Sequence, residues 1–484
     1  MGKQKLVRKP TFTESVLVVF PAMVFIAVGC LAFKMKPEFL MIIAAAYAAL
    51  WAMRLGYGWN ELQESISEKL KTATPILLIM WAVGISIASF MMSGAIPMIV
   101  YYGLKWINPQ HVLTAALVMG MLLSVFTGSS FTAIGTAGVA FMGVAAGMGI
   151  PLGIVAGAST CGALFGDKLS PLSDTTQAAP LAAETDIFAH IHSMLYTTLV
   201  PTVVAFVVFW IQGNKYAVPD GKLPPMAMDM MNSLDSMFTW SPLLLLPFVL
   251  ILACSFLKKP ACPTLLAASV LSLLLGIFVQ GFDFRSCVEA LITGFNVTMI
   301  TVAEQPASIL TLLNRGGMRS MVGVFTIIYS GVAYAGVVSR AGFLETALEP
   351  LLSKIKTVRQ LIPATLGTIL VVYCSLANAI ITFLISGEIF RSTFKRLKVH
   401  PTVLSRTMED IGVCTPLVPW SQSAAFFTVT LGVSVAEYAP WHIIGWMAPI
   451  CALICGFTGI GIFRLKDENG SPDSTLESQT QPVN

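Results

Sequence analysis

Asp174 stands among hydroxyls. In Gly166-Asp167-Lys168-Leu169-Ser170-Pro171-Leu172-Ser173-Asp174-Thr175-Thr176 its carboxylate is flanked by Ser173, Thr175 and Thr176, and a second acid, Asp167, lies seven residues earlier. A hard cation takes oxygen ligands, and an acid ringed by hydroxyls offers them. The same acid can carry a proton, because burial disfavours a charged carboxyl while a bound cation favours it, so proton and cation compete. Ser129, Ser130 and Thr132, in Thr127-Gly128-Ser129-Ser130-Phe131-Thr132, add oxygens placed to face Asp174. The expected ion site is therefore Asp174, Ser173, Thr175, Ser129, Ser130 and Thr132, with Asp174 as the anionic cation ligand. Proton coupling is expected of Asp174, Asp167, Glu388 or Asp410.

Plainer alternatives stand beside these. Asp167 could pair with the adjacent Lys168, and Glu409 and Asp410 could form a buried ion pair with Arg406, one turn away. Glu388, about ten residues past Asn378, could lie near the cytoplasmic surface. In the later part of the chain Asn378, Thr382, Ser421, Gln422 and Ser423 form the matching group, which supplies neutral oxygens and no carboxylate.

The elements that hold these residues are apolar. Of 484 residues, 56% are hydrophobic and 11% charged, against roughly 45–50% and about 25% in soluble domains. The apolar residues come in runs of about 17–20, the length that crosses a bilayer as a helix. An all-α polytopic membrane protein follows. The first run is long and lacks a small-x-small site, so it reads as a span rather than a cleavable signal. A net charge of +4, from 29 basic and 25 acidic residues, is too small and scattered for a nucleic-acid partner. Nine cysteines without CxxC spacing read as packing residues. HExxH, GxSxG, Walker and dinucleotide motifs are missing, so no enzyme, no catalytic residue and no cofactor is expected. A channel or intramembrane enzyme is a distant alternative.

The chain divides in two. Residues 1–14 form a basic cytoplasmic start; 15–212 form a first repeat with a re-entrant hairpin at 112–148 and a broken helix at 152–183; 213–240 form a polar loop. A second repeat, 241–463, has its hairpin at 361–394 and its broken helix at 401–432, and 464–484 form a polar cytoplasmic tail expected to be disordered. Motifs recur about 250 positions apart: Ser93-Gly94-Ala95 with Ser339-Arg340-Ala341, Gly128-Ser129-Ser130 with Asn378-Ala379-Ile380, and Leu169-Ser170-Pro171 with Leu417-Val418-Pro419. Glu304-Gln305-Pro306 is a further candidate break. The second hairpin is flanked by Lys354, Lys356, Arg359, Lys395 and Arg396, the first only by Lys105 and His111. Positive residues stay inside, so the repeats are expected to be inverted: about ten spans, two hairpins, both termini cytoplasmic. Interrupted apolar segments at matching places in inverted halves suit alternating access around a mid-membrane site.

The segment Gly166–Thr176, with Leu404-Ser405-Arg406-Thr407-Met408-Glu409-Asp410, Pro416-Leu417-Val418-Pro419-Trp420 and Arg315-Gly316-Gly317-Met318, resembles the NhaC family of sodium/proton antiporters from about Ser15 to Phe463. That resemblance implies an elevator-type transporter, often a homodimer, in a bacterial inner membrane. Its substrates would be sodium ions, bound at Asp174, and protons, and some members couple these to malate and lactate. Where the family pattern places Asn and Thr after Pro-Trp, this chain has Ser421-Gln422-Ser423. The second group is therefore an altered ion site or a place for an organic acid or amino acid, which keeps organic-solute transport as the alternative function.

Overall fold

The computed structural model describes residues 7–217, 224–257, 259–300 and 305–465. Nine helices among them are long and apolar enough to cross a bilayer, or up to 11 if each of two bent pairs makes one span. The 34-residue helix Trp59–Met92 is about 51 Å long at 1.5 Å per residue, well beyond a ~30 Å hydrocarbon core. Its first turns carry Glu61, Glu64, Glu68, Lys69 and Lys71, which accounts for the excess. Burial sorts the helices: the Ser130–Gly147 window is 89% buried, whereas Phe12–Leu31 and Ile187–Tyr216 are 33% buried and face outward.

Two helix pairs turn sharply inside the molecule. Val112–Thr127 and Ser130–Ala133, the latter continuing through a π-turn to Gly147, meet at Gly128; Val358–Leu376 and Ala379–Arg396 meet at Ala377. Both turns use the same backbone. Gly128 has φ 65° and Ala377 φ 55°, and each is followed by an extended residue whose side chain caps the next helix: Ser129 accepts from Thr132 N at 3.2 Å, Asn378 from Ile381 N at 3.0 Å. A β-carbon on Gly128 would stand 2.7 Å from the Leu172 carbonyl carbon, so the turn needs glycine for its angle and for its neighbour.

The chain breaks twice more, and the breaks match as well. Leu152–Leu169 is followed by Asp174–Ala183, capped by Ser173 and ended by left-handed Glu184; Pro401–Gly412 is followed by Gln422–Leu431, capped by Ser421 and ended by left-handed Gly432. Gly94 and Gly342, also left-handed, open the amphipathic helices Ala95–Trp106 and Phe343–Lys354. All these correspondences lie about 248 positions apart, and the backbone pairs Gly94 with Gly342 rather than with Arg340.

Each break hands its second helix to the other half. Ala178, Ala179, Ala182 and Ala183 belong to the core that holds Phe383, Ile385 and Phe390, while Ala425, Phe426, Phe427 and Leu431 belong to the core that holds Ile134, Ala137 and Val139. Phe131 and Phe426 meet edge to face at 5.0 Å. Gly387 lies so close to the Ala182 carbonyl that no side chain fits between them.

The Ile187–Gly213 helix, 27 residues and so about 40 Å long, joins the two ends. Near its start His190 Nδ1 lies 2.8 Å from Ser405 Oγ, just past the base of the second pair; at its end Gly213 packs on Gln110, beside the base of the first. The bases of the two pairs thus lie at opposite ends of one helix.

Three segments differ from the sequence expectation. The polar stretch 213–240 carries a helix, Pro225–Met237, because Ala227, Met230 and Leu234 form one apolar stripe that buries in the core. Phe284–Thr293 and Ala307–Leu313 are short helices too brief to read from periodicity. Lys168 does not pair with Asp167, nor Asp410 with Arg406; the two remaining partners find each other instead, as described below. Glu304 and the tail beyond Leu465 lie outside the described residues.

Candidate functional site

Both tips and both breaks border one cavity of about 460 Å³, lined among others by Ser129, Ser130, Asp167, Asp174, Glu409 and Gln422. Four interrupted helices meet there because the breaks stack on the tips: Leu172 on Gly128, and Gln422, whose backbone N lies 3.5 Å from the Ala377 carbonyl, on the second tip. Helix starts at Ser130, Asp174, Ala379 and Gln422 all adjoin it.

Within the cavity Asp167 holds the inner position. Ser130 Oγ donates to its Oδ2 at 2.6 Å, and Thr176 Oγ1 donates to its backbone carbonyl at 2.9 Å. Asp174 is exposed, at the first position of its helix, so it stands at the mouth. Ser173 and Thr175 hydroxyls lie 3.0 Å apart, with Ser173 buried. Thr132 is buried, and its hydroxyl has no hydrogen-bond partner among the described residues. Of the sequence-expected first-half residues, Ser129, Ser130, Asp167, Ser173, Asp174 and Thr175 line the cavity.

Of the second-half group, Gln422 and Ser423 line the cavity as a neutral wall, and Asn378, Thr382 and Ser421 are not among its lining residues. Asn378 Nδ2 donates to Gln422 Oε1 at 3.2 Å, Thr415 Oγ1 to Ser423 Oγ at 3.3 Å and Ser421 Oγ to the Thr415 carbonyl at 2.7 Å. Thr382 donates to the Asn378 carbonyl at 2.7 Å and so secures the tip rather than facing the cavity. Glu388 is not brought here; it lines a separate surface hollow with Arg340, Glu345 and Glu349.

Lys168 lies on the cavity wall, but its Nζ is 2.5 Å from Asp410 Oδ1, which also accepts from Thr197 Oγ1 at 2.7 Å. Arg406 donates to the Gly461 carbonyl at 2.9 Å, away from the cavity. Glu409 on the wall was read from the sequence only as a possible ion-pair partner of Arg406, and Lys259 at the rim was not singled out. For Glu409 the signal was present but ambiguous, since an acid three residues after an arginine reads first as an ion pair.

Oxygen-rich, anionic and enclosed by broken helices, this cavity suits a small cation. Residues 162–460 match the Na+/H+ antiporter family. The chain belongs to that family. It is 36% identical over 460 residues to an uncharacterized Na(+)/H(+) antiporter of Haemophilus influenzae, covering 95% of this chain and 98% of that one. It is 35% identical to the Na(+)/H(+) antiporter NhaC of Alkalihalophilus pseudofirmus, covering 94% and 97%. Similarity extends to the malate-2H(+)/Na(+)-lactate antiporter of Bacillus subtilis, at 30% over 96% and 98%. This antiporter-family chain is a multi-pass membrane protein, and its family match covers both breaks and the second tip, while the first tip lies before it.

Proposed function

We propose that this chain exchanges sodium ions for protons across a bacterial cell membrane, at the cavity between the two tips. The observation that carries this is the Asp167 carboxylate, held by Ser130 inside a cavity walled by four interrupted helices. An acid that takes either a proton or a sodium ion, but not both, couples the two flows. Asp167 is the first such acid and Asp174, at the mouth, the second, with Ser173, Thr175, Ser129 and Ser130 as neutral oxygen ligands. In support of inverted repeats, the matching left-handed residues recur in order and the bases of the two helix pairs lie at opposite ends of Ile187–Gly213. The two pairs then act as re-entrant hairpins, and the cavity is carried between the faces by an elevator movement. Arg391, Lys395, Arg396 and Arg464 cluster at the second base, so that end is cytoplasmic. The same side for the amino end is supported by Arg8, which donates its backbone N to the Leu55 carbonyl, and by Lys9, beside Arg340 and Glu388. A homodimer in the bilayer is the proposed assembly, with no nucleic-acid partner.

A second reading rests on cavity size. About 460 Å³ is far more than a bare sodium ion needs, and Gln422 and Ser423, the former held from behind by Asn378, give it a neutral hydrogen-bonding side. That suits a small organic acid or amino acid moved with sodium and protons. Reconstituted vesicles given only sodium and a pH gradient decide between them: exchange without organic solute supports antiport, and exchange that appears only on adding malate, lactate or an amino acid supports the second reading.

A further inference from the structure

Glu409 is a buried acid that forms no salt bridge among the described residues. It is 2% exposed and lines the cavity, yet its Oε1 has no hydrogen-bond partner among the described residues. Two neighbouring cations have their hydrogen bonds elsewhere. Lys168 is bound to Asp410, and Arg406, one turn before Glu409, reaches the Gly461 carbonyl and Ser193. A buried charge that is neither paired nor fully hydrogen-bonded is strongly disfavoured, so the group takes up either a proton or a cation from outside the protein. The open side of Glu409 is the cavity that Asp167 enters from the other half of the chain.

We propose that Glu409 is a cation-binding residue of this cavity, and that sodium is held between one carboxylate from each half, Asp167 and Glu409. This rests on the sodium/proton reading above and adds to it a ligand from the later half, on the wall where the sequence offered only neutral oxygens. The arrangement gives the cation a hold on both halves at once, and it places the neutral Gln422 and Ser423 as the remaining oxygens of that side.

The test is direct binding. Purified full-length protein in detergent is titrated with sodium chloride against choline chloride at constant ionic strength, by calorimetry, for wild type, Glu409→Gln, Glu409→Asp and Asp167→Asn. Glu409→Gln should weaken the sodium Kd by about tenfold or more, the loss typical of one charged ligand, and Glu409→Asp should recover most of it. A Glu409→Gln Kd within twofold of wild type overturns the inference, as does a loss that Glu409→Asp fails to recover. If Glu409→Gln binds normally while Asp167→Asn does not, the cation is held without Glu409 and only this inference falls. Wild-type protein that exchanges no sodium for protons in vesicles removes the antiport reading and this inference with it.

Discussion

Lys168 and Asp410, 242 positions apart in sequence, form an ion pair with side chains only 1% and 0% exposed and Nζ 2.5 Å from Oδ1. The pair joins the end of one interrupted helix to its counterpart in the other half. Taking one partner from a buried pair leaves an uncompensated charge and costs about 3–5 kcal/mol, whereas replacing both with apolar residues is often near neutral. Lys168→Met and Asp410→Leu should each lower the melting temperature in detergent sharply, and the double variant should recover most of the loss. A double variant that melts as low as the worse single would show that the two do not act as a pair.

Asp167→Asn should abolish sodium/proton exchange while the protein still inserts and melts normally, because the amide keeps the size and loses the charge. Ser130→Ala removes one hydrogen bond to a charged group, worth about 1.5–3 kcal/mol, and should raise the sodium KM by roughly tenfold or more. Asp174→Asn, at the mouth, should have the smaller effect. Flux in vesicles ranks the three, and full activity in Asp167→Asn would move the site elsewhere.

The pH dependence follows from competition for one acid. Protons favour the uncharged carboxyl and sodium favours the carboxylate, so lowering pH should raise the apparent sodium KM while the maximal rate stays nearly constant. Initial rates over a range of sodium concentrations at several pH values measure this. A KM that ignores pH, with only the maximal rate changing, would place the proton on a separate group.

How much of this could be read beforehand is clearest at the breaks. Pro171, the glycines and the serines announce interrupted helices, because no lipid-facing helix tolerates such a run, and Ser129 and Asn378 mark the tips as capping residues. Asp167 and Asp174 were legible as acids but not as inner and outer, which depends on where Leu172 packs. Lys168 and Asp410 were visible singly; their pairing is a contact across 242 positions that no local pattern encodes. The helix Pro225–Met237 was hidden because only three apolar residues form its stripe, diluted by Asp229, Asn232 and Asp235.

Orientation can be checked with single cysteines in a background without the native nine. Gly147 packs against Leu104 and Met230 and is a poor reporter, whereas Lys105 and Lys395 are exposed near the two bases. In intact cells a membrane-impermeant maleimide should label Lys105→Cys but not Lys395→Cys. Labelling of both would mean that the two pairs enter from the same face.

The exchanged helices bear on how the protein is made. When Asp174–Ala183 leaves the ribosome, the Phe383, Ile385 and Phe390 surface that covers its alanines has not been synthesised. At about 5–20 residues per second the wait is roughly ten to forty seconds. The early half must therefore sit in the membrane with a small-residue face uncovered, open to wrong neighbours. Closure comes as two mutual insertions, since the late half returns Ala425–Leu431 to the early core. Separately expressed halves should each be short-lived and degraded, and should protect one another only when present together.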